Sequence, residues 1–179
     1  MYPYLRVARL LLKHAFRRPK HVDLASEFTM TYRPMLGDLD VYPEVNNGRH
    51  FVMFDLARYG VAFPMGLVGY VRRNKLAFVV GGSSIRYRKR VRPFRKAIIR
   101  TRLVGMDGKF FYFQHTVEQG DAVCSSALVR AGLRRKGGTA VPTEVMTDLG
   151  YALEPFMEPW VEAWASWDDE RPWPSVSAM

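Results

Sequence analysis

The chain has 179 residues, enough for one domain with a substantial core and too few for two ordinary ones. Its one cysteine, Cys124, excludes an internal disulfide and a cysteine-based zinc site, and no start-region pattern resembles a cleaved secretion signal, so a reducing cytoplasm is expected. The formal charge of +10 is uneven: residues 86–102 hold nine Lys or Arg and no acid, whereas residues 154–179 hold six acids against Arg171 alone.

The start, MYPYLRVARLLLKHAFRRPK, spaces Arg6, Arg9, Lys13 and Arg17 beside an apolar stripe of Leu5, Ala8, Leu12 and Ala15, an amphipathic helix pattern. Charge interrupts it too often for a bilayer span, which leaves a helix lying on anionic lipid or docked on its own domain. Docking is the favoured reading, since terminal helices commonly cover a sheet edge or a partner subunit. Residues 26–33, SEFTMTYR, alternate as a half-buried strand. A helix then runs from about Asn47 to Ala62, with apolar positions around most of its circumference, so it should be buried on more than one side; Pro64 and Gly66 break it. SSIRYRKRV, interrupted by Pro93, reads as a strand, followed by three more at roughly 97–105, 109–118 and 122–132. Asp107-Gly108 is a type I′ turn signal and Gln119-Gly120-Asp121 a second reversal. The tail reads as two short acidic helices split near Pro155 and Pro159, then a loose end, DDERPWPSVSAM. The expected class is α+β, with an antiparallel sheet curled around a long central helix and extra N- and C-terminal helices. No repeat or linker divides the chain.

The stretch GDLDVYPEVNNGRHFVMFDLAR, residues 37–58, places Asp38, Asp40 and Glu44 before the long helix, with Asn46 or Asn47 as its N-cap. The carboxylates would crowd the positive end of that helix, as a cap without chemistry or as a site. The basic run 86–102 suits a polyanion, either nucleic acid or a molecule with several phosphates, and equally fits a solvated strand face.

The element order, the segment from Asp38 to Asn47, SSIRYRKRVRPF, RLVGMDGKFFYF and the late VPTEV together resemble the four-hydroxybenzoyl-CoA thioesterase-like branch of the hotdog-fold superfamily, over about residues 24–150. On that basis residues 1–22 form an added N-terminal helix, 23–150 a hotdog thioesterase-like domain and 151–179 an acidic C-terminal extension. The resemblance implies hydrolysis of acyl-CoA thioesters by a homodimer or homotetramer, with each site at a subunit interface. It implies that Asp40 is the catalytic carboxylate, as nucleophile or as base toward water, and that the Asn47 backbone N–H polarises the thioester carbonyl. Where many relatives have Gly-His, this chain has Pro43-Glu44; Glu44 is then a candidate base, an inert surface residue, or a carboxylate close enough to Asp40 to raise one pKa of the two. His50 reads as a packing or hydrogen-bonding residue. CoA carries a pyrophosphate and a ribose phosphate, so the resemblance points to Arg86, Arg88, Arg90, Arg92, Arg95 and Lys96 as phosphate ligands, with Arg134, Arg135 and Lys136 as a second group. No cofactor and no metal are expected, CoA being part of the substrate.

No Gly-x-Ser-x-Gly elbow, Walker loop, Rossmann glycine fingerprint or histidine-rich metal constellation occurs. The alternative to a thioesterase is a protein of the same fold that holds an acyl-CoA or acyl-carrier thioester without cleaving it. A basic nucleic-acid or membrane-surface adaptor is the weakest reading, because single-strand binders stack bases on aromatics along the basic groove, and here the dense aromatic run and the densest basic run fall on different predicted strands.

Overall fold

The computed structural model describes residues 4–14 and 20–174. Arg17 of the N-terminal pattern and residues 175–179 of the expected loose end lie outside the described residues. In chain order the elements are α1 (Tyr4–His14), β1 (Phe28–Tyr32), a 3-10 turn (Leu36–Asp38), α2 (Asn47–Ala62), α3 (Leu67–Arg73) and β2 (Ala77–Tyr87). There follow β3 (Ala97–Met106), β4 (Phe111–Gln119), β5 (Ala122–Arg135), β6 (Gly138–Ala140), α4 (Pro142–Asp148), β7 (Phe156–Met157) and α5 (Pro159–Glu170).

The main strands form one antiparallel sheet in the order β1-β3-β4-β5-β2, with β6 beside β5 and β7 beside β3. This is the antiparallel sheet curled around a long helix that the sequence pattern predicts. α2 starts where its cap is: the Asn46 side chain accepts the Gly48 N–H at 2.9 Å, closing one of the open donors of the first turn. Met53, Phe54 and Leu56 are almost wholly buried, and Phe54 stacks on His115 of β4 at 4.7 Å between ring centres. Truncating such a ring to alanine costs about 3–5 kcal/mol.

Strands present alternate residues to opposite faces, and β3, β4 and β5 use both. Leu103, Phe111 and Leu133 pack on the inner side with Val61 and Met65, whereas Val104, Tyr112 and Leu128 pack on the outer side with Val161 and Ala165 of α5. α5 is fastened there by Arg130, whose guanidinium meets Asp168 at 2.8 Å and Asp169 at 2.7 Å and lies over the rings of Phe110 and Trp164. That helix extends through Asp168–Glu170, which the sequence reading assigns to the loose end.

Two further expectations are corrected. The strand placed over SSIRYRKRV begins at Ala77 and stops at Tyr87, because the N–H groups of Arg88 and Lys89 both turn to the Cys124 carbonyl, at 2.8 and 3.1 Å, and end the ladder. Its early part, AFVV, lacks the alternation that marks a strand. The Asp107-Gly108 reversal is not type I′: neither residue has positive φ, and the loop is closed by the Asp107 side chain, which accepts the N–H groups of Lys109 and Phe110 at 2.7 Å each. The second reversal is as tight as its residues suggest, with Gly120 at φ 62° between the paired Gln119 and Ala122. α3 is the element that periodicity misses, seven residues entered through Gly66 at φ 81°.

Candidate active site

The segment before α2 is a closed loop. Leu39 and Val45 bridge across it, the Asp40 N–H donates to the Glu44 carbonyl at 3.2 Å, and the Asn46 N–H donates to the Asp38 carbonyl at 2.9 Å. Asp40 is half-buried, with Oδ1 accepting the Tyr42 N–H at 2.9 Å. Asn47 is the first residue of α2, and its carbonyl accepts the Tyr87 hydroxyl at 3.1 Å, which fixes the helix start against β2.

The three carboxylates do not crowd the helix end as a group. Asp38 is buried and turned toward α1, where Arg6 grips it through two bonds of 3.0 and 2.7 Å, while its Oδ2 also accepts the Met35 N–H. A bidentate guanidinium is the strongest partner a carboxylate can find in a side chain, so it outcompetes the helix dipole. α1 therefore docks on the domain as expected, with Val7 and Leu10 facing the core. Glu44 reaches Arg90, at 3.6 Å. His50 is buried one turn into α2, with Nδ1 3.0 Å from the Ser125 hydroxyl, and burial lowers its pKa to about 4. At neutral pH it packs uncharged and is too weakly basic to serve as a replacement base.

The basic residues separate into two places. Arg88, Lys89, Arg90, Arg92, Arg95 and Lys96 surround a basin of about 650 Å³ floored by Gln119, Gly120, Ala122 and Cys124. Gln119 clasps this loop: it accepts the Arg92 N–H at 2.8 Å and donates to the carbonyls of Arg92 and Arg95 at 3.1 and 3.3 Å. Buried Val91 anchors the loop and accepts the Val45 N–H at 3.0 Å, which joins the basin directly to the Asp40 loop. Arg86 stands on β2 outside the basin lining. Arg134 and Arg135 lie at the far end of β5, where Arg134 faces Ala77 while Ser125 faces Tyr87. At about 3.3 Å per residue the two groups are roughly 30 Å apart, so they do not hold one ligand together within a protomer.

A second cavity, of about 190 Å³, lies on the inner side between the later half of α2, α3 and strands β2 to β5. Its lining is apolar, including Val61, Met65, Phe78, Leu103 and Phe111, except for Asp55 and Arg58 of α2. These two pair at i,i+3, with Arg58 the more buried partner. Burial pushes the Asp55 carboxyl above its ordinary value, and the Arg58 charge only partly offsets this. Arg58 also meets His115 Nε2 at 2.9 Å, and His115 Nδ1 lies 2.9 Å from the Thr101 hydroxyl. A guanidinium can only donate, so Nε2 accepts, and the ring proton sits on Nδ1 and is donated to Thr101. Burial, then the Arg58 charge, holds His115 well below its usual pKa and keeps that tautomer neutral. The one signal of this chain of four in the sequence is a charged i,i+3 pair, FDLAR, in the later part of a helix whose apolar positions cover most of its circumference. Asp55 is eight residues beyond Asn47, about 12 Å along the helix, so the pocket is distinct from the Asp40 loop. Among the described residues, no single helix is long and apolar enough to cross a membrane.

Residues 34–164 match the model of the thioesterase-like superfamily. The chain belongs to that superfamily. A zebrafish protein, Protein THEM6, is 32% identical over 127 residues, covering 70% of this chain and 62% of that protein. The chain spans about half to three-fifths of the length of the curated relatives it matches. Among solved structures, a Staphylococcus aureus hypothetical protein in complex with CoA superimposes with a TM-score of 0.63 at 11% identity, covering 89% of this chain and 97% of that one. A 1,4-dihydroxy-2-naphthoyl-CoA thioesterase from Synechocystis gives 0.59 at 12% identity, covering 69% and 95%. These likenesses show the hotdog fold.

Proposed function

We propose that this protein hydrolyses an acyl-CoA thioester to a free acid and CoA, with Asp40 as the reacting carboxylate. The observation that carries the reading is contiguity: the Asp40 loop, the N-terminus of a long buried helix and a cation-lined basin are tied to one another by Val45–Val91 and Glu44–Arg90. Asp40 either takes a proton from water as hydroxide adds to the carbonyl, or attacks the carbonyl itself, in which case water cleaves the acyl-aspartyl anhydride left after the thiolate departs and releases the free acid. The Asn47 N–H, at a helix position with no intrahelical acceptor, receives the developing oxyanion. The thiolate of CoA then leaves with its phosphates held in the basin by Arg88, Arg90, Arg92, Arg95 and Lys96. Glu44 serves this arrangement by holding Arg90. The apolar pocket around Asp55 receives the acyl group. A second copy, paired along the exposed β2 edge where Phe78 and Val80 border that pocket, would cover its open side.

The second reading, a protein that binds thioesters without turnover, is favoured by Pro43-Glu44, which stiffens the loop and spends a carboxylate on Arg90. Free-thiol release from acyl-CoAs of several chain lengths and one aromatic acyl-CoA separates the two. The wild type should turn over, Asp40→Asn should lose at least about a hundredfold in rate, and Glu44→Gln should mainly raise KM. CoA-dependent thermal stabilisation with no turnover of any substrate would establish the binding protein instead.

A further inference from the structure

The end of the molecule that carries the Asp40 loop exposes apolar side chains that its packing does not explain. Leu5 and Leu12 on α1, Leu36 in the 3-10 turn, Val41 and Tyr42 in the Asp40 loop and Phe94 in the basic loop all stand in solvent, Leu5 at 88% and Val41 at 93% of their full exposure. These segments share one end because hydrogen bonds stitch them together. Arg6 of α1 grips Asp38 and donates to the Arg33 carbonyl at 3.3 Å; Arg33 donates to the Phe94 carbonyl at 3.2 Å; the Phe94 N–H donates to the Pro34 carbonyl at 2.9 Å. α1 is thus amphipathic in an inverted sense. The face with Arg6, Val7 and Leu10 meets the domain, and the opposite face, with Leu5, Ala8, Arg9 and Leu12, meets water.

The charge at this end points to the occupant. Segments 4–14, 33–49 and 88–96 carry eleven Lys or Arg against three acids, and of those acids Asp38 and Glu44 are already paired with Arg6 and Arg90. Aliphatic and aromatic groups on a helix face and on loops, set among cations, are the composition of an interfacial membrane contact: the apolar groups enter the acyl boundary and the cations meet lipid phosphates. A fluid surface accommodates separate projecting side chains without a shaped groove.

We propose that this end docks on an anionic phospholipid bilayer, with the outer face of α1 lying in the interface and the Asp40 loop directed at the lipid. The docking surface stands whether or not the chain cleaves thioesters. The added consequence, that a long acyl chain enters the site from the bilayer, rests on the thioesterase reading.

The test is flotation of the full chain with vesicles of phosphatidylcholine alone or mixed with phosphatidylglycerol, using the wild type and Leu5→Gln/Leu12→Gln/Leu36→Gln. These three side chains lie outside the catalytic and phosphate-holding groups, and glutamine keeps the helical propensity of α1. The wild type should float with the mixed vesicles and not with phosphatidylcholine alone, and the triple variant should lose at least tenfold in partitioning while its circular dichroism and melting temperature are kept. Flotation needs no turnover, so an inactive wild type that floats still supports the surface. A wild type that stays unbound, or a triple variant that floats as well as the wild type, overturns the proposal. So does a variant whose only change is a smaller mass by light scattering, which would make this face a contact between copies.

Discussion

Lowering the pH from 7 to 5 puts a proton on histidines of the unfolded chain that the folded chain holds neutral. His50 is the measurable case, ordinarily at 6.5 and lowered by burial to about 4. Between those values the unfolded state binds more protons than the folded one, so the stability that His50 contributes is complete above about pH 6.5 and is lost as the pH falls. Linkage puts the loss at about 2 kcal/mol by pH 5 and on the order of 3 kcal/mol below pH 4. His115 acts in the same direction. Asp55 acts in the opposite one, because its raised carboxyl favours the protonated folded state and regains stability as the pH falls through its folded pKa. The variant His50→Gln isolates the first contribution, since an amide oxygen can still accept from Ser125 and does not titrate. Urea denaturation at pH 7 and at pH 5 should show the wild type losing about 2 kcal/mol more than the variant. Equal losses would mean that His50 is not held neutral, and the argument that it cannot act as a base at neutral pH would fall with it. His50 lies one turn from Asn47, so the same protonation should loosen the start of α2.

Two further outcomes follow from the packing. Arg130→Ala leaves Asp168 buried with, among the described residues, Arg171 alone as its ion-pair partner, at 3.0 Å, and should cost about 3 kcal/mol in urea denaturation, with faster hydrogen exchange in α5; unchanged exchange there would show that the helix is held by its apolar face alone. At Gly81, in the irregular step of β2 between Val80 and Gly82, a Cβ would fall 2.6 Å from Cε1 of Phe110, so Gly81→Ala should lower stability by about 1–3 kcal/mol. Adding Phe110→Leu should recover part of that loss, and a fully additive double mutant would place the cause elsewhere.

What the sequence makes legible here is what neighbours along the chain decide. The start of α2 is readable because Asn46 caps it with its own side chain, two residues from the amide it accepts. Strands β3 to β5 are readable because a reversal with Gly120 at positive φ and alternation in β3 are local properties. β2 is read only in part, since its apolar first half satisfies strand and helix alike, and α3 is too short to show a period.

Asp40 and Asp55 show where that legibility ends. Position before a capped helix offers Asp38, Asp40 and Glu44 alike, and it is the family resemblance that singles out Asp40. Asp55 matters because of what comes to it from elsewhere: Arg58 one turn on, then His115 and Thr101, which pair across β3 and β4 fourteen residues apart and pass beneath the same helix. On the sequence, the pair Asp55 and Arg58 reads as one more exposed i,i+3 ion pair. In the fold the arginine spends its hydrogen bonds on both Asp55 and a neutral imidazole, and the carboxylate is left half-desolvated against an apolar pocket. The same reasoning separates the basic residues. Adjacency in sequence gathers Arg88 through Lys96 into one basin because a single loop, clasped by Gln119, carries them all. Arg134 and Arg135 share their chemistry and not their place, because an antiparallel ladder sends the end of β5 to the opposite end of β2. Within one protomer, a ligand held in the basin is therefore out of reach of Arg134 and Arg135.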